Sequence, residues 1–363
     1  MNKYNRTCKI NLKFATKYKK KMIADLLKEY RRVVNLYIKK LWVNKGKLDK
    51  DTLALIQNTS LSERYKSQAL RHALQIVVST KKSLKANHKR TNIIPTFTGP
   101  AKLDSKFIFI DEADLMKDFD LAIKLSTLQK GNRITIPAKR TKVFNKWYEH
   151  PNSKLLQGCL LFEDYIILNF EVIEEFKIEG KNIGIDIGKT KIISTSEKEF
   201  FGREFDKINN KIKRKKKGSK TKKRALIERD NYFSKVVKSV PLENVKIVVV
   251  EDLKDLKKGK KPNRSRAFRK SLRHWNYPEI ISRIENKAQE NRICLVKVDP
   301  RNTSRSCPIC KFVAKENRNG EKFKCKSCGF VEDADYVGAL NILSKYLFSQ
   351  ESRVPEDHKD ILI

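Results

Sequence analysis

Apolar and polar positions change period several times along this chain. Residues 6–14 (RTCKINLKF) alternate, the two-residue period of a half-buried strand. From Met22 the apolar positions Ile23, Leu26, Leu27, Tyr30, Val33, Val34, Tyr37, Ile38 and Leu41 recur at spacings of three and four, which predicts an amphipathic helix. A second helical stripe, with Leu70, Ala73, Leu74, Val77 and Val78 on one side, lies within about 61–89 and ends in the basic segment KKSLKANHKR. Between Pro95 and Glu179 the pattern turns to short β-rich pieces, among them KFIFI, NRITIPA, CLLF and DYIILNFEV. Strands thus flank the helices in sequence. The plainest architecture is a multidomain α+β chain: an N-terminal β domain, a small β-barrel or sheet, with a helical insertion, then a separate α/β unit from about residue 181.

That second unit opens with NIGIDIGKTKIISTS, a strand carrying Asp186 between Gly184 and Gly188, then a turn and another strand, with KEFFG as a third. The most apolar run, VKIVVVED, ends in Glu251 and Asp252 and reads as a buried parallel strand. Strands are expected near 183–187, 190–196, 199–202, 245–251 and 293–298. In CGFVEDADYVGALNIL, Glu332, Asp333 and Asp335 cluster where a helix should start, and Gly338 and Ala339 are small enough for it to lie tight on a sheet.

Each acid alone has a plain explanation. A carboxylate at a strand end is usually a solvated terminus, and acids at a helix start complement its dipole by about 0.3–1 kcal/mol. Together, on a strand, a strand end and a helix start, they are what a two-metal site needs: hard oxygen ligands for two magnesium ions about 4 Å apart. A Walker A loop fails by one position, since Ile183 stands where its first glycine belongs before Gly188-Lys189-Thr190. An actin-like ATPase shares a DIGKT-like loop, but no second phosphate loop or adenosine site is evident.

Charge narrows the partner. The 363 residues include 81 Lys and Arg against 42 Asp and Glu, a formal +39, while 39% hydrophobic residues are enough for folding. Residues 207–224 carry eleven Lys or Arg in eighteen positions and no acid, and 254–273 adds ten with only Asp255 against them. A solvated helix normally mixes both signs, so unmixed runs beside an acidic site point to a phosphate backbone. Phe268, Trp275 and Tyr277 could stack on bases, but Trp275 with Ile280, Ile281 and Ile284 reads as helix core. No apolar stretch approaches the roughly 18–20 residues that cross a bilayer, and the N-terminus has no signal-peptide pattern, so no membrane role and an intracellular, cytoplasmic location are expected.

Cys307, Cys310, Cys325 and Cys328 form C-x2-C and C-x2-C knuckles, the spacing for four thiolates on a structural zinc with no open position. Cys8, Cys159 and Cys294 sit in apolar strand-like runs as small core residues.

GIDIG, VVVEDL, DPRNTSRSCPIC, CKSCG and DADYVGALNI stand in the order and spacing of the RuvC segments and zinc ribbon of the TnpB family and the related miniature type V CRISPR effectors, which the chain resembles. The resemblance is most specific over 181–345. It implies an RNA-guided DNA endonuclease of a transposable element, with Asp186, Glu251 and Asp335 as the catalytic triad holding two Mg2+ (or Mn2+), and the four cysteines on zinc. It also implies guide RNA and target DNA as partners, a monomer rather than a homodimer, and a prokaryotic or mobile-element, nucleoid-associated setting. The implied domains are a wedge-type β domain (1–18 and 92–180), a helical recognition domain (19–91), an RNase H-like RuvC domain (181–302 and 332–348), a zinc ribbon (303–331) and a C-terminal tail (349–363). The family usually has Asn-Ala-Ala at Val337-Gly338-Ala339 and often Gln at Arg305. A CRISPR-linked effector and a nuclease-inactive RNA-guided repressor are the alternatives, and the intact triad counts against the second.

Overall fold

The structure, a computed structural model, describes residues 1–44, 59–86, 93–113, 118–129, 131–253 and 275–351. The basic run at 254–273 with Phe268, and most of the expected tail, lie outside them. The chain divides into two compact units, Lys3–Ile173 and Met1–Asn2 with Glu174–Ile363.

In the first unit, β1 (Asn2–Asn11) alternates buried and exposed side chains. Helix α1 (Lys17–Val43) starts at Thr16, whose Oγ1 accepts the Lys19 N–H at 3.3 Å, and it buries the nine apolar positions of its stripe. These pack on α2 (Glu63–Ala86). Strands β2 (Ala101–Leu103), β6 (Ser153–Leu161) and β7 (Tyr165–Glu174) join β1 in one antiparallel sheet, order β1-β7-β6-β2. Strands β3 (Ile108–Glu112), β4 (Leu121–Ser126) and β5 (Arg133–Ala138) form a second, followed by the short α3 (Lys142–Tyr148).

The expected β-barrel does not close: among the described residues β1 and β2 remain edges of one sheet, and β3 and β5 of the other. Strand β2, one of those edges, is only three residues long and offers little ladder for a further strand to complete a ring. The helices supply the cover instead, since both sheets and the stripes of α1 and α2 share one core that includes Tyr30, Tyr65, Phe144 and Phe170. Cys8 and Cys159 are buried in it, and burial pushes their thiols up to about 11 and about 12. Cys294 is only half-buried, in the second unit.

The second unit is built on a mixed sheet, order β10-β9-β8-β11-β12. Strands β8 (Lys181–Asp186), β9 (Ile193–Thr195) and β10 (Phe200–Phe201) run antiparallel; β11 (Val245–Glu251) and β12 (Cys294–Val298) run parallel to β8. Parallel neighbours need crossovers. Helices α4 (Phe205–Arg214) and α5 (Lys220–Ser239) lie between β10 and β11, and α6 (Tyr277–Glu290) precedes β12.

Alternation along β8 puts Ile183 and Ile185 on one face, in a core with Phe233, Val237, Ile280, Ile284 and Trp275. Gly184 and Asp186 face the other side, which α7 (Ala334–Glu351) covers. A Cβ built on Gly184 would lie 2.2 Å from the Ala339 carbonyl oxygen and 2.9 Å from the Leu343 nitrogen, both helix backbone. Gly184→Ala must therefore push α7 off the sheet, and a loss of about 3 kcal/mol is expected in urea unfolding. That clash outweighs the ~0.4–1 kcal/mol an alanine gains through the unfolded chain; an unchanged midpoint would refute the packing.

A small antiparallel sheet of β13 (Arg318–Asn319), β14 (Lys322–Lys324) and β15 (Val331–Asp333) precedes α7. Its core joins Cys307, Phe323 and Cys325 to Ala334 and Val337 of the first turn of α7.

Candidate metal sites

Asp186 and Glu251 are the last residues of β8 and β11, strands whose register pairs Ile185 with Val250, so the two carboxylates are neighbours at the C-terminal ends of parallel strands. Crevices at such ends collect ligand-binding groups. Asp335 comes from the start of α7 and is 4% exposed.

The three acids interact electrostatically. Burial, with the charges of Glu251 and Asp335, pushes the Asp186 carboxyl up to about 8 against the opposing pull of Arg318. Glu251 is also raised, by burial, although Thr303 Oγ1 donates to its Oε1.

Two cations brace Asp335. Arg318 Nη2, on β13, donates to Oδ1 at 2.6 Å, and Lys191 Nζ lies 3.6 Å from Oδ2. Asp333 accepts the N–H groups of Asp335 and Tyr336 at 3.0 and 3.1 Å and pairs with Lys191, so it caps the helix that carries Asp335. Glu332 pairs with Lys198 at 2.7 Å. Asn341 Nδ2 donates to the carbonyls of Thr303 and Ser306 at 2.7 and 2.8 Å, tying α7 to the loop that holds Glu251 and leads to Cys307. A Cβ on Gly338 would come 3.0 Å from Asp186 Oδ2, so a bare backbone there leaves this carboxylate its room. Lys191, Thr303, Arg318 and Asn341 carried no signal in the sequence; each acts across a turn or from another element.

Cys307, Cys310, Cys325 and Cys328 bring all four Sγ atoms within 4.8 Å of one another, with 3.6 Å between Cys307 and Cys328 and 3.5 Å between Cys310 and Cys325. Tetrahedral Zn–S bonds of ~2.3 Å put sulfurs about 3.8 Å apart, whereas a disulfide needs about 2 Å. Burial opposes ionisation of the Cys325 thiol, but its sulfur accepts N–H groups from Cys328 and Ser327, and these with the neighbouring Cys310 and Cys328 thiols together lower it. The four thiols therefore fit a structural zinc site.

The basic run at 207–224 lies on α4, α5 and their turn, capped by Ser219, whose Oγ accepts the Lys222 N–H at 3.2 Å. Lys207, Asn210, Lys211, Arg214 and Lys215 line a cleft of about 360 Å³. Trp275 is core, as expected, and its Nε1 donates to the Gly188 carbonyl at 2.6 Å. No helix among the described residues is long and apolar enough to cross a membrane.

Residues 277–342 match the family model of the Cas12f1-like TNB domain. Over 209 residues the chain is 30% identical to a TnpB-like protein of Methanocaldococcus jannaschii, an alignment covering 52% of this chain and 74% of that one. A CRISPR-associated endodeoxyribonuclease Cas12f1 of Sulfoacidibacillus thermotolerans is 40% identical over 72 residues, 20% of this chain and 17% of that one. The protein in the cryo-EM structure of a Cas12f1–sgRNA–target DNA complex shares the fold, with a TM-score of 0.54 at 15% identity over 94% of this chain and 99% of that one. Fold and sites together define a mixed α/β protein of the fold class that Cas12f1 shares, with four cysteines that fit a zinc site. Within that class, the chain belongs to the TnpB family.

Proposed function

We propose that this chain is an RNA-guided DNA endonuclease of the TnpB type, encoded by a transposable element, that hydrolyses DNA phosphodiesters at an RNase H-like RuvC site. The observation that carries this reading is the convergence of Asp186, Glu251 and Asp335 from two parallel strand ends and a helix start, close enough that burial and mutual repulsion lift Asp186 to about 8. Such repulsion is what bound divalent cations relieve. The donor set fits: hard carboxylate oxygens suit Mg2+ or Mn2+. Ser194 Oγ, fully buried in register with Asp186, has no hydrogen-bond partner, so this face holds polar capacity that protein groups alone do not use.

When bound, such ions supply an activated water and stabilise charge on the scissile phosphate. The chain's own work is placement. Asp186 and Glu251 are fixed by the sheet, Thr303 orients Glu251, and Arg318, Lys191 and the Asp333 cap hold Asp335 opposite them. The cysteines would hold zinc and so fix the loop leading to α7. The domain reading of a wedge (1–18 and 92–180), a recognition insert (19–91), a RuvC domain (181–302 and 332–348), a ribbon (303–331) and a tail (349–363) belongs to the same proposal, as does a monomer.

Guide RNA and target DNA as partners are supported by the sgRNA and target DNA in the complex whose Cas12f1 protein shares this fold, and by the charge of +39. The test is to purify the protein from cells carrying its native locus and sequence the bound RNA. A discrete RNA with a variable end supports the guide; heterogeneous cellular RNA contradicts it. An RNA from a CRISPR array would favour the miniature-effector alternative.

Lys215, Lys216 and Lys217 lie in the turn between α4 and α5. Replacing all three with Gln is expected to lower the slope of log affinity against log salt by up to about 2–3 units, with no change in thermal midpoint. An unchanged slope would remove this turn from the nucleic-acid surface.

A further inference from the structure

Most of the 81 basic side chains serve a charged exterior, yet among the described residues two, Lys191 and Arg229, are buried. Burying an ammonium is costly unless anions repay its lost hydration. Lys191 sits in the β8–β9 turn, five residues after Asp186, with its side chain 7% exposed. It pairs with Asp333 and lies 3.6 Å from Asp335 Oδ2, 3.9 Å from Glu321 Oε2 and 4.5 Å from the centre of the Phe200 ring.

The division of contacts assigns a role. Arg318 occupies Asp335 Oδ1, and Asp333 takes the ammonium's hydrogen bond, leaving Asp335 Oδ2 beside a positive charge but beyond hydrogen-bond distance. That oxygen is neutralised without being tied down.

We propose that Lys191 is the built-in counter-ion of the acidic site: it positions Asp335 while no divalent ion is bound, and its charge sets how tightly one binds. This rests on the metal-binding reading of Asp186, Glu251 and Asp335. Two consequences have opposite signs. Without metal, losing the ammonium leaves the buried Asp335 and the half-buried Asp333 with one cation fewer, which destabilises the fold. With metal, the same loss removes repulsion between a fixed positive charge and a divalent ion. At a separation of ~6 Å that repulsion is worth about tenfold in affinity even at the dielectric constant of water.

The experiment follows thermal unfolding of the full-length, zinc-loaded protein, stripped of nucleic acid, against Mn2+ concentration. Wild type, Lys191→Met, Lys191→Arg and Asp186→Ala are compared, with Lys191→Gln in place of a methionine variant that does not fold. Lys191→Met is expected to melt lower than wild type without Mn2+ and to reach half its maximal stabilisation at about tenfold less Mn2+, while Lys191→Arg tracks wild type. A lysine that merely packs would lower the midpoint and leave the Mn2+ dependence unmoved. A Lys191→Met curve needing as much Mn2+ as wild type, or more, overturns the inference alone. A wild-type midpoint that ignores Mn2+, or a response that survives in Asp186→Ala, overturns the metal-site reading and the inference with it.

Discussion

Asp186→Ala is expected to reduce cleavage of a guide-matched DNA by about three orders of magnitude or more, while the affinity of the complex for that DNA changes less than about twofold. The carboxylate ends β8 among other acids, so its loss removes a proposed metal ligand and no phosphate contact. In the proposal, binding rests on basic residues elsewhere, such as those of α4 and α5. The fold should survive, because a carboxyl raised to about 8 is largely uncharged at neutral pH in the metal-free protein, so alanine removes no charge on which the fold depends. Gel-shift titrations and a plasmid-cutting assay on one preparation make the comparison. Parallel loss of binding and cutting would show that Asp186 supports the structure instead.

The second large effect is expected at the cysteines. Stripping zinc with a strong chelator, or replacing Cys310 with Ser, should abolish the cooperative melting of the second unit's ribbon, since apparent zinc binding energies of ~10–16 kcal/mol are folding energy in such sites. Cys310 is exposed, so its substitution probes metal binding and leaves core packing nearly unchanged. The damage should spread to the acidic site. Ala334 and Val337, on either side of Asp335, share a core with Cys307, Cys325 and Phe323, and Arg318 reaches Asp335 from the same small sheet. Circular dichroism melts with and without chelator, alongside zinc release measured by a chromogenic ligand, test this. An unchanged melt after complete zinc loss would contradict it.

Much of this was legible because local pattern and long-range structure agree. The nine apolar positions of α1 are the nine it buries, and each expected strand of the second unit appears within a few residues of its place. Two cysteine pairs at fixed spacing describe their own geometry, since each knuckle is local and only the join between knuckles is not. The β-barrel failed because alternation marks a strand without saying which edges meet; pairings between strands far apart in sequence decide that. Supporting residues were illegible for a related reason. Lys191 and Asp333 are 142 residues apart, Glu251 and Thr303 are 52 apart, and nothing in either neighbourhood marks the pairing. Asp333 illustrates the limit from the other side, since its acidic cluster was visible, but only the N–H groups of Asp335 and Tyr336 reveal it as the cap.

The central claim is guided DNA cleavage, and one assay meets it directly. The protein is purified with the RNA from its native locus and given Mg2+ with two linear DNAs, identical except that one carries a stretch matching the RNA's variable end. The same pair is run with EDTA. Cutting confined to the matched DNA and to the Mg2+ reaction is the predicted result. Equal cutting of both DNAs, or cutting that persists in EDTA, would contradict an RNA-guided, metal-dependent endonuclease.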